Sequence, residues 1–188
     1  MHDRKKIIAI PGSIRQGSTN RNLINAIIQL FSDKLNIKIF EGLADIPHFN
    51  PDFDNENPPA KVSDFRSQLK NADGILICTP EYAMGVPGTL KNAIDWTVSS
   101  MEFSHKPVAL ITASTLGQKA HYALMETLKI IEADISDSSQ LLISSIKTKV
   151  EDDKITDHGT QIQVKEVIYS LISAIEKKMV QSGETKAL

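Results

Sequence analysis

Short runs of β-branched and other apolar residues alternate along this chain with segments in which apolar residues recur every three or four positions. This alternation is typical of a parallel sheet covered by helices on both faces. With right-handed crossovers and four intervening or flanking helices, it predicts an α/β fold of three layers, with a doubly wound five-stranded parallel sheet in the order 2-1-3-4-5. The predicted strands are residues 5–10, 36–40, 74–79, 107–112 and 140–145.

Length and composition limit the classes of protein to consider. A chain of 188 residues can bury a sizeable core, and we expect residues 1–188 to form a single domain with a frayed tail from about residue 181. A formal net charge of −2 argues against nucleic acid as a partner. The single cysteine, Cys78, and the lack of a long apolar run predict a cytoplasmic protein without a membrane partner.

The loop after the first predicted strand, IPGSIRQGSTN, has the glycine spacing of a nucleoside-triphosphate-binding loop. Ser18 stands where that motif requires lysine, so a terminal monophosphate is the better fit. Arg15 could grip two phosphate oxygens, and a helix N-terminus follows directly. The alternative is that GSTN only caps this helix and that Arg15 is solvated. The small polar side chains of this predicted anion site are Ser13, Ser18, Thr19 and Asn20.

The loop after the third predicted strand, PEYAMGVPGTLKNAIDW, predicts a wall for a planar ligand. Gly85 and Gly88, on either side of Pro87, are expected to let the backbone turn sharply and lie flat. The alternative is a plain turn with Tyr82 on the surface. A third loop, ASTLGQ, follows the fourth predicted strand and opens on the same edge of the sheet.

GSIRQGSTN, PEYAMGVPGTLKNAIDW and the order of elements resemble the NADPH-dependent FMN reductase family, a flavodoxin-like group that includes quinone, chromate and azo-dye reductases. The resemblance runs from about residue 7 to residue 175. It implies a flavodoxin-like fold, FMN as cofactor, NADPH or NADH as co-substrate, and a quinone, azo compound, chromate or free flavin as acceptor. It also implies a homodimer or homotetramer, with residues 90–98 in the contact.

The resemblance further implies which residues bind the cofactor. The FMN phosphate would be held by Ser13, Arg15, Ser18, Thr19 and Asn20. The isoalloxazine would be lined by Pro80, Glu81, Tyr82, Ala83, Met84 and Gly85, and closed on its other side by Ser114, Thr115, Leu116 and Gly117. This chain has Ala83 where the family commonly has asparagine, and its third loop is shorter than in many relatives.

We expect no catalytic acid or base, because the flavin carries the chemistry. We also expect no metal site, because the five histidines lack the i, i+4 spacing of a helical pair. Cys78 is expected to serve packing, and His121 and Tyr122 are expected on a surface helix. The alternative function is a flavodoxin-like electron carrier acting on a partner protein, which the near-neutral charge disfavours. A flavin-free scaffold is a third possibility.

Overall fold

The computed structural model describes residues 4–15 and 17–183. Its main sheet contains five strands that pair in parallel throughout, in the order β2-β1-β3-β4-β5. The predicted fold class and strand order are therefore confirmed. The strands are β1 Lys5–Pro11, β2 Leu35–Ile39, β3 Gly74–Thr79, β4 Val108–Ala113 and β5 Gln140–Ile143.

Five α-helices are found in the described part of the chain, one more than predicted. Each of the first four connects consecutive strands of the sheet, and the fifth follows β5. They are α1 Thr19–Leu30, α2 Ala60–Asn71, α3 Gly88–Asp95, α4 Gln118–Ile130 and α5 His158–Gln181. The predicted frayed tail falls partly on residues 184–188, which lie outside the described residues.

The two faces of the sheet bury separate apolar cores, because successive side chains of a strand point to opposite faces. Ile7 and Leu76 face α1 and α5, whereas Ile8 and Ile75 face α2, α3 and α4. Cys78 lies in the first core and is fully buried, which raises the pKa of its thiol well above the usual range. The expectation that this cysteine serves packing is therefore confirmed.

Two surface segments complete the fold. Residues 43–59 form a surface excursion with short 3-10 turns at Leu43–Asp45 and Pro51–Phe53, and the indole Nε1 of Trp96, just after α3, donates to its Pro47 carbonyl at 2.8 Å. A small antiparallel hairpin, β6 Val150–Glu151 with β7 Lys154–Ile155, was not predicted. Within the described residues, no helix is both long enough and apolar enough to cross a bilayer.

Candidate functional site

Four loops meet at the carboxyl-terminal edge of the sheet and surround one cavity of about 230 Å³. We call them the first loop (residues 12–18, after β1), the second loop (80–87, after β3), the third loop (114–117, after β4) and the fourth loop (144–149, after β5). Ligands of open parallel sheets bind at this edge. The cavity is lined by Arg15, Ser18, Thr19, Asn20, Pro80, Glu81, Tyr82, Ala113, Ser114, Thr115, Ile146 and Lys147.

The first loop leaves several hydrogen-bond donors unused. Ser18 occupies the N-cap position of α1, but its side chain makes no cap hydrogen bond. Within the described residues, the N–H groups of Thr19 and Asn20 in the first turn of α1 have no acceptor. Among the described residues, the exposed guanidinium of Arg15 hydrogen-bonds only to the Gly17 carbonyl, at 3.3 Å, and has no carboxylate partner. These donors surround a position suited to an anion.

Gly12 and Gly17 shape the first loop in different ways. A Cβ on Gly12 would lie 2.2 Å from Thr79 Oγ1, so the loop can cross the end of β3 only because position 12 has no side chain. Gly17 has a φ of +68°, which lies in the left-handed region that favours glycine. Both glycines therefore have conformational roles that bring the chain back toward the start of α1.

Asn20 is buried beside the cavity with one polar atom unsatisfied. Its Nδ2 donates to the Ala113 carbonyl at 2.9 Å, which joins the start of α1 to the end of β4. Its Oδ1 is buried without a partner among the described residues. An unpaired buried acceptor costs about 1–3 kcal/mol, so a hydroxyl donor bound in the cavity would be stabilised here.

The second loop turns sharply at residues other than the predicted glycines. Tyr82 and Gly85 exchange backbone hydrogen bonds of 3.0 and 2.9 Å, and the two residues between them, Ala83 and Met84, have φ of +48° and +60°. Left-handed φ at both central residues is the geometry of a type I′ turn. The prediction that Gly85 and Gly88 provide the turn is wrong, because neither has a positive φ and Gly88 begins α3.

The tips of the second and third loops stand away from the cavity. Ala83, Met84 and Gly85 do not line it, and neither do Leu116 and Gly117. The side chains of Met84 and Leu116 are 71% and 69% exposed.

Tyr82 belongs to the cavity wall and also contacts the first loop. Its hydroxyl lies 3.0 Å from Ser13 Oγ, which accepts a second hydrogen bond, at 3.3 Å, from the Arg15 N–H. Ser13 itself does not line the cavity. These contacts occupy the Ser13 hydroxyl within the protein.

The fourth loop contributes lining residues that sequence reasoning missed. Ile146 and Lys147 border the cavity, and the Ile146 N–H donates to the Ser114 carbonyl at 3.2 Å. The signal for them was topological, because the carboxyl end of β5 must lie at the same edge as those of β1, β3 and β4. Lys147 is exposed and adds a second cation to the border of the cavity.

His121 is buried, and the prediction that it lies on the surface is wrong. Its Nδ1 lies 2.9 Å from Thr112 Oγ1 and its Nε2 lies 2.7 Å from Gln140 Oε1. Because a carbonyl oxygen only accepts, we assign the proton to Nε2. Burial lowers the pKa of this imidazole. Tyr122, the next residue, is exposed as expected.

A larger cavity, of about 980 Å³, lies at the opposite, amino-terminal edge of the sheet. Its lining includes residues just before β4 and β5, such as His105 and Ser139, and the second half of α5, such as Lys177. Size alone does not identify a site in this fold, because the loops that vary and bind ligands follow the carboxyl ends of the strands. The smaller cavity is therefore the better candidate.

Comparison with known proteins agrees with this assignment of the fold. A profile of the family described as NADPH-dependent FMN reductase matches residues 5–148. A quinone reductase of Escherichia coli strain K12 is 30% identical over 168 residues, which cover 85% of this chain and 89% of that protein. An NAD(P)H-dependent FMN reductase of Pseudomonas aeruginosa is 36% identical over 150 residues, which cover 77% of this chain and 80% of that protein.

Among solved structures, the flavoenzyme FerB, an NAD(P)H:(acceptor) oxidoreductase from Paracoccus denitrificans, has a TM-score of 0.75 with this protein. The match covers 92% of this chain and 98% of that one at 24% identity, and it bears on the fold alone. The profile, in contrast, spans well over half of the sequence. The chain therefore belongs to the NADPH-dependent FMN reductase family.

Proposed function

We propose that this protein binds FMN in the cavity at the carboxyl-terminal edge and uses NADPH or NADH to reduce a small quinone-type acceptor. Membership of the family supports the cofactor and the class of reaction. The structural observation that carries the proposal is the set of unused donors around the first loop, beside a buried acceptor, Asn20 Oδ1. This combination suits a ligand with an anionic end and hydroxyl groups next to it.

The first loop suits a monophosphate. The N–H groups of Thr19 and Asn20 and the positive end of the α1 dipole favour an anion, and the hydroxyl of Ser18 is not used for capping. Arg15 can offer a planar pair of donors without first breaking an ion pair. We therefore assign the phosphate to Arg15, Ser18, Thr19 and Asn20. Ser13 would have to release the Tyr82 hydroxyl before it could join them.

The remaining walls suit the uncharged part of the cofactor. Asn20 Oδ1 would accept a hydrogen bond from a hydroxyl of the ribityl chain, so this buried atom would no longer be unsatisfied. Pro80, Tyr82 and Ser114 line the cavity on either side of the space that we assign to the ring. Bound there, FMN would supply the redox chemistry that links the reduced nicotinamide to the acceptor. The protein residues bind and orient the reactants and need supply no acid or base.

The test is to purify the protein, record its visible absorbance spectrum after adding FMN, and identify the flavin released on denaturation. We expect FMN in preference to FAD, with a Kd in the low micromolar range or tighter, which is about −8 kcal/mol. Oxidation of NADPH and NADH should then depend on an added quinone. An electron carrier would instead show negligible turnover with small acceptors, and a protein that binds no flavin would contradict the proposal.

We also propose a cytoplasmic homodimer or homotetramer, for which the support is family likeness. Three apolar residues of α3 within the predicted contact, Leu90, Ala93 and Ile94, are fully buried in the core of their own chain. Val98 and Met101, just beyond α3, are more than half exposed and are available instead. Sedimentation at micromolar concentration should show a mass above the 20.7 kDa of one chain.

A further inference from the structure

The second loop is bonded to both of its neighbours at the site. Tyr82 reaches back to the first loop through Ser13 Oγ, at 3.0 Å. Glu81, the residue before it, reaches forward to the third loop and to the start of α4. The two adjacent residues therefore connect the three loops that we assign to the flavin.

Glu81 makes its forward connection at both ends of the third loop. Its backbone N–H donates to Ser114 Oγ at 3.2 Å, and its Oε2 accepts from the Ala120 N–H at 2.8 Å. Ser114 is the first residue of that loop, and Ala120 is the third residue of the helix that follows it. One side chain and its own backbone thus span the loop that forms the opposite wall of the cavity.

The start of α4 has no local residue to satisfy its N–H groups. The N-cap is Gly117, which has a φ of +93° and no side chain that could accept a hydrogen bond. A carboxylate at the N-terminus of a helix is also favoured by the helix dipole. No cation lies within ion-pair distance of Glu81 in the described residues. Its charge is therefore directed at the helix.

The third loop is fixed from its other side as well. The Ser145 N–H donates to the Thr115 carbonyl, and the Ile146 N–H donates to the Ser114 carbonyl, each at 3.2 Å. These bonds hold the third loop to the fourth loop but do not set its distance from the second loop. The hydrogen bonds of Glu81 provide that constraint.

We propose that Glu81 is a positioning residue, which keeps the third loop at the separation from the second loop that the flavin ring requires. This inference rests on the proposed function, because it assumes that a flavin occupies the cavity. Glu81 would act on the ring and not on the phosphate. Its loss should therefore weaken every flavin that carries the ring, whether or not a phosphate is present.

The experiment measures the Kd of FMN and of riboflavin for wild-type protein and for Glu81→Gln and Glu81→Ala. The amide can still accept a hydrogen bond but lacks the charge, so we expect about threefold weaker binding with Gln and about tenfold with Ala. Both flavins should be weakened by the same factor in each variant. If any change at position 81 simply unfolded the protein, Glu81→Gln would bind flavin no better than Glu81→Ala.

Asp157 provides the matched control, since it caps α5 through the same kind of contact. Its Oδ1 accepts from the Thr160 N–H at 2.7 Å, and it does not line the cavity. We expect Asp157→Ala to lower the Tm of the flavin-free protein about as much as Glu81→Ala does. Its Kd values for both flavins should stay within twofold of wild type.

Three results would overturn the proposal. The first is that Glu81→Ala leaves both affinities unchanged, and the second is that it weakens the binding of FMN alone. The third is that Asp157→Ala weakens the binding of both flavins equally, which would indicate a general effect of stability. If Glu81→Ala fails to fold, the same comparison is made with Glu81→Gln. A wild-type protein that binds neither flavin would reject the proposed function itself, and that result is distinct from all three.

Discussion

The first loop and the third loop both border one cavity, and they use their polar groups in opposite ways. The first loop leaves the Ser18 hydroxyl, the N–H groups of Thr19 and Asn20, and the guanidinium of Arg15 without strong partners in the described chain. In the third loop, the Ser114 hydroxyl is bonded to Glu81, and the Ser114 and Thr115 carbonyls are bonded to the fourth loop. One side is therefore prepared to donate hydrogen bonds to a ligand, and the other is held in shape.

This difference follows from what each side has to recognise. An anion is bound by donors that point at it, and such donors cost little when water can replace the ligand at an exposed loop. The faces of a planar ring offer few directional bonds, so the protein itself has to hold the walls of the ring's binding site at a fixed separation. Free donors should thus mark the phosphate end, and internally bonded loops the ring end.

The largest effect expected from this comparison is at Arg15. Arg15→Ala should weaken FMN binding by roughly tenfold to a hundredfold, because a charge-assisted hydrogen bond contributes about 1.5–3 kcal/mol. Arg15→Lys should restore part of the affinity, since it supplies the charge without the planar pair of donors. The Kd of riboflavin, which lacks the phosphate, should barely change. Fluorescence titration of both flavins provides the measurement.

Arg21 is the control for this prediction. It lies on α1 close to Arg15 in sequence, but its guanidinium is paired with Glu41 and it does not line the cavity. Arg21→Ala should leave the FMN affinity within about twofold of wild type, because this surface pair contributes little. Equal weakening of FMN and riboflavin by Arg15→Ala would show that the first loop does not bind the phosphate.

The second effect concerns His121 and the pH dependence of the free energy of unfolding. Burial lowers the pKa of His121 from its ordinary value of 6.5, so the unfolded chain takes up this proton first as the pH falls. The stability due to neutral His121 is complete above pH 6.5 and is lost as the pH falls below it, at up to about 1.4 kcal/mol per pH unit.

Urea unfolding of the flavin-free protein at a series of pH values from about 7.5 down to about 5 measures this slope. His121→Gln should reduce the loss of stability on acidification. The exposed His158, at the start of α5, provides the control, and His158→Gln should keep the wild-type slope. An unchanged slope in His121→Gln would mean that the imidazole is not held neutral by the fold.

A smaller effect is expected at the tip of the second loop. Ala83 has a left-handed φ of +48°, which costs alanine roughly 1 kcal/mol and which asparagine tolerates better. Ala83→Asn should therefore raise the free energy of unfolding by about 0.5–1 kcal/mol, measured by urea denaturation. Ala72→Asn, at the C-cap that follows α2, where the backbone is extended, should give no such gain. No gain at position 83 would contradict the turn geometry.

An effect of similar size should come from the bond between the first and second loops. Tyr82→Phe and Ser13→Ala each remove one partner of a partly buried contact, and we expect each to cost about 0.5–1 kcal/mol of stability. The double variant should cost less than the sum of the two, because the bond between the two hydroxyls can be lost only once. Additive costs would indicate that the two hydroxyls do not interact.

The sheet and the family could be predicted from sequence because their signals are local and repeated. Strands of β-branched residues between amphipathic helices leave few alternatives, and the two loop motifs are long. His121 was misjudged although it lies three residues before Leu124, on the buried face of α4. Its residue type suggested the surface, and only the packed structure reveals that Thr112 and Gln140 satisfy both ring nitrogens.

Other features depend on contacts that the sequence does not display. The turn at Ala83 and Met84 contradicts the local preference of both residues, so propensity pointed to the neighbouring glycines instead. The β6–β7 hairpin has strands of only two residues, and a contact with α1, from Asn25 Nδ2 to Asp153 Oδ1 at 3.1 Å, helps to hold it. The role of Glu81 could not be predicted from the sequence, because its partner Ala120, in α4, lies 39 residues further along the chain.

The exposed tips of the second and third loops offer a route to redesign. Met84 and Leu116 project into solvent beside the cavity, and neither side chain belongs to a buried core cluster. Substitutions at such positions usually change stability by no more than about 0.5 kcal/mol. A library that varies only these two residues could therefore change the size and polarity of two loop tips outside the cavity, and so test whether they influence the choice of electron acceptor, while the bonded framework beneath stays intact.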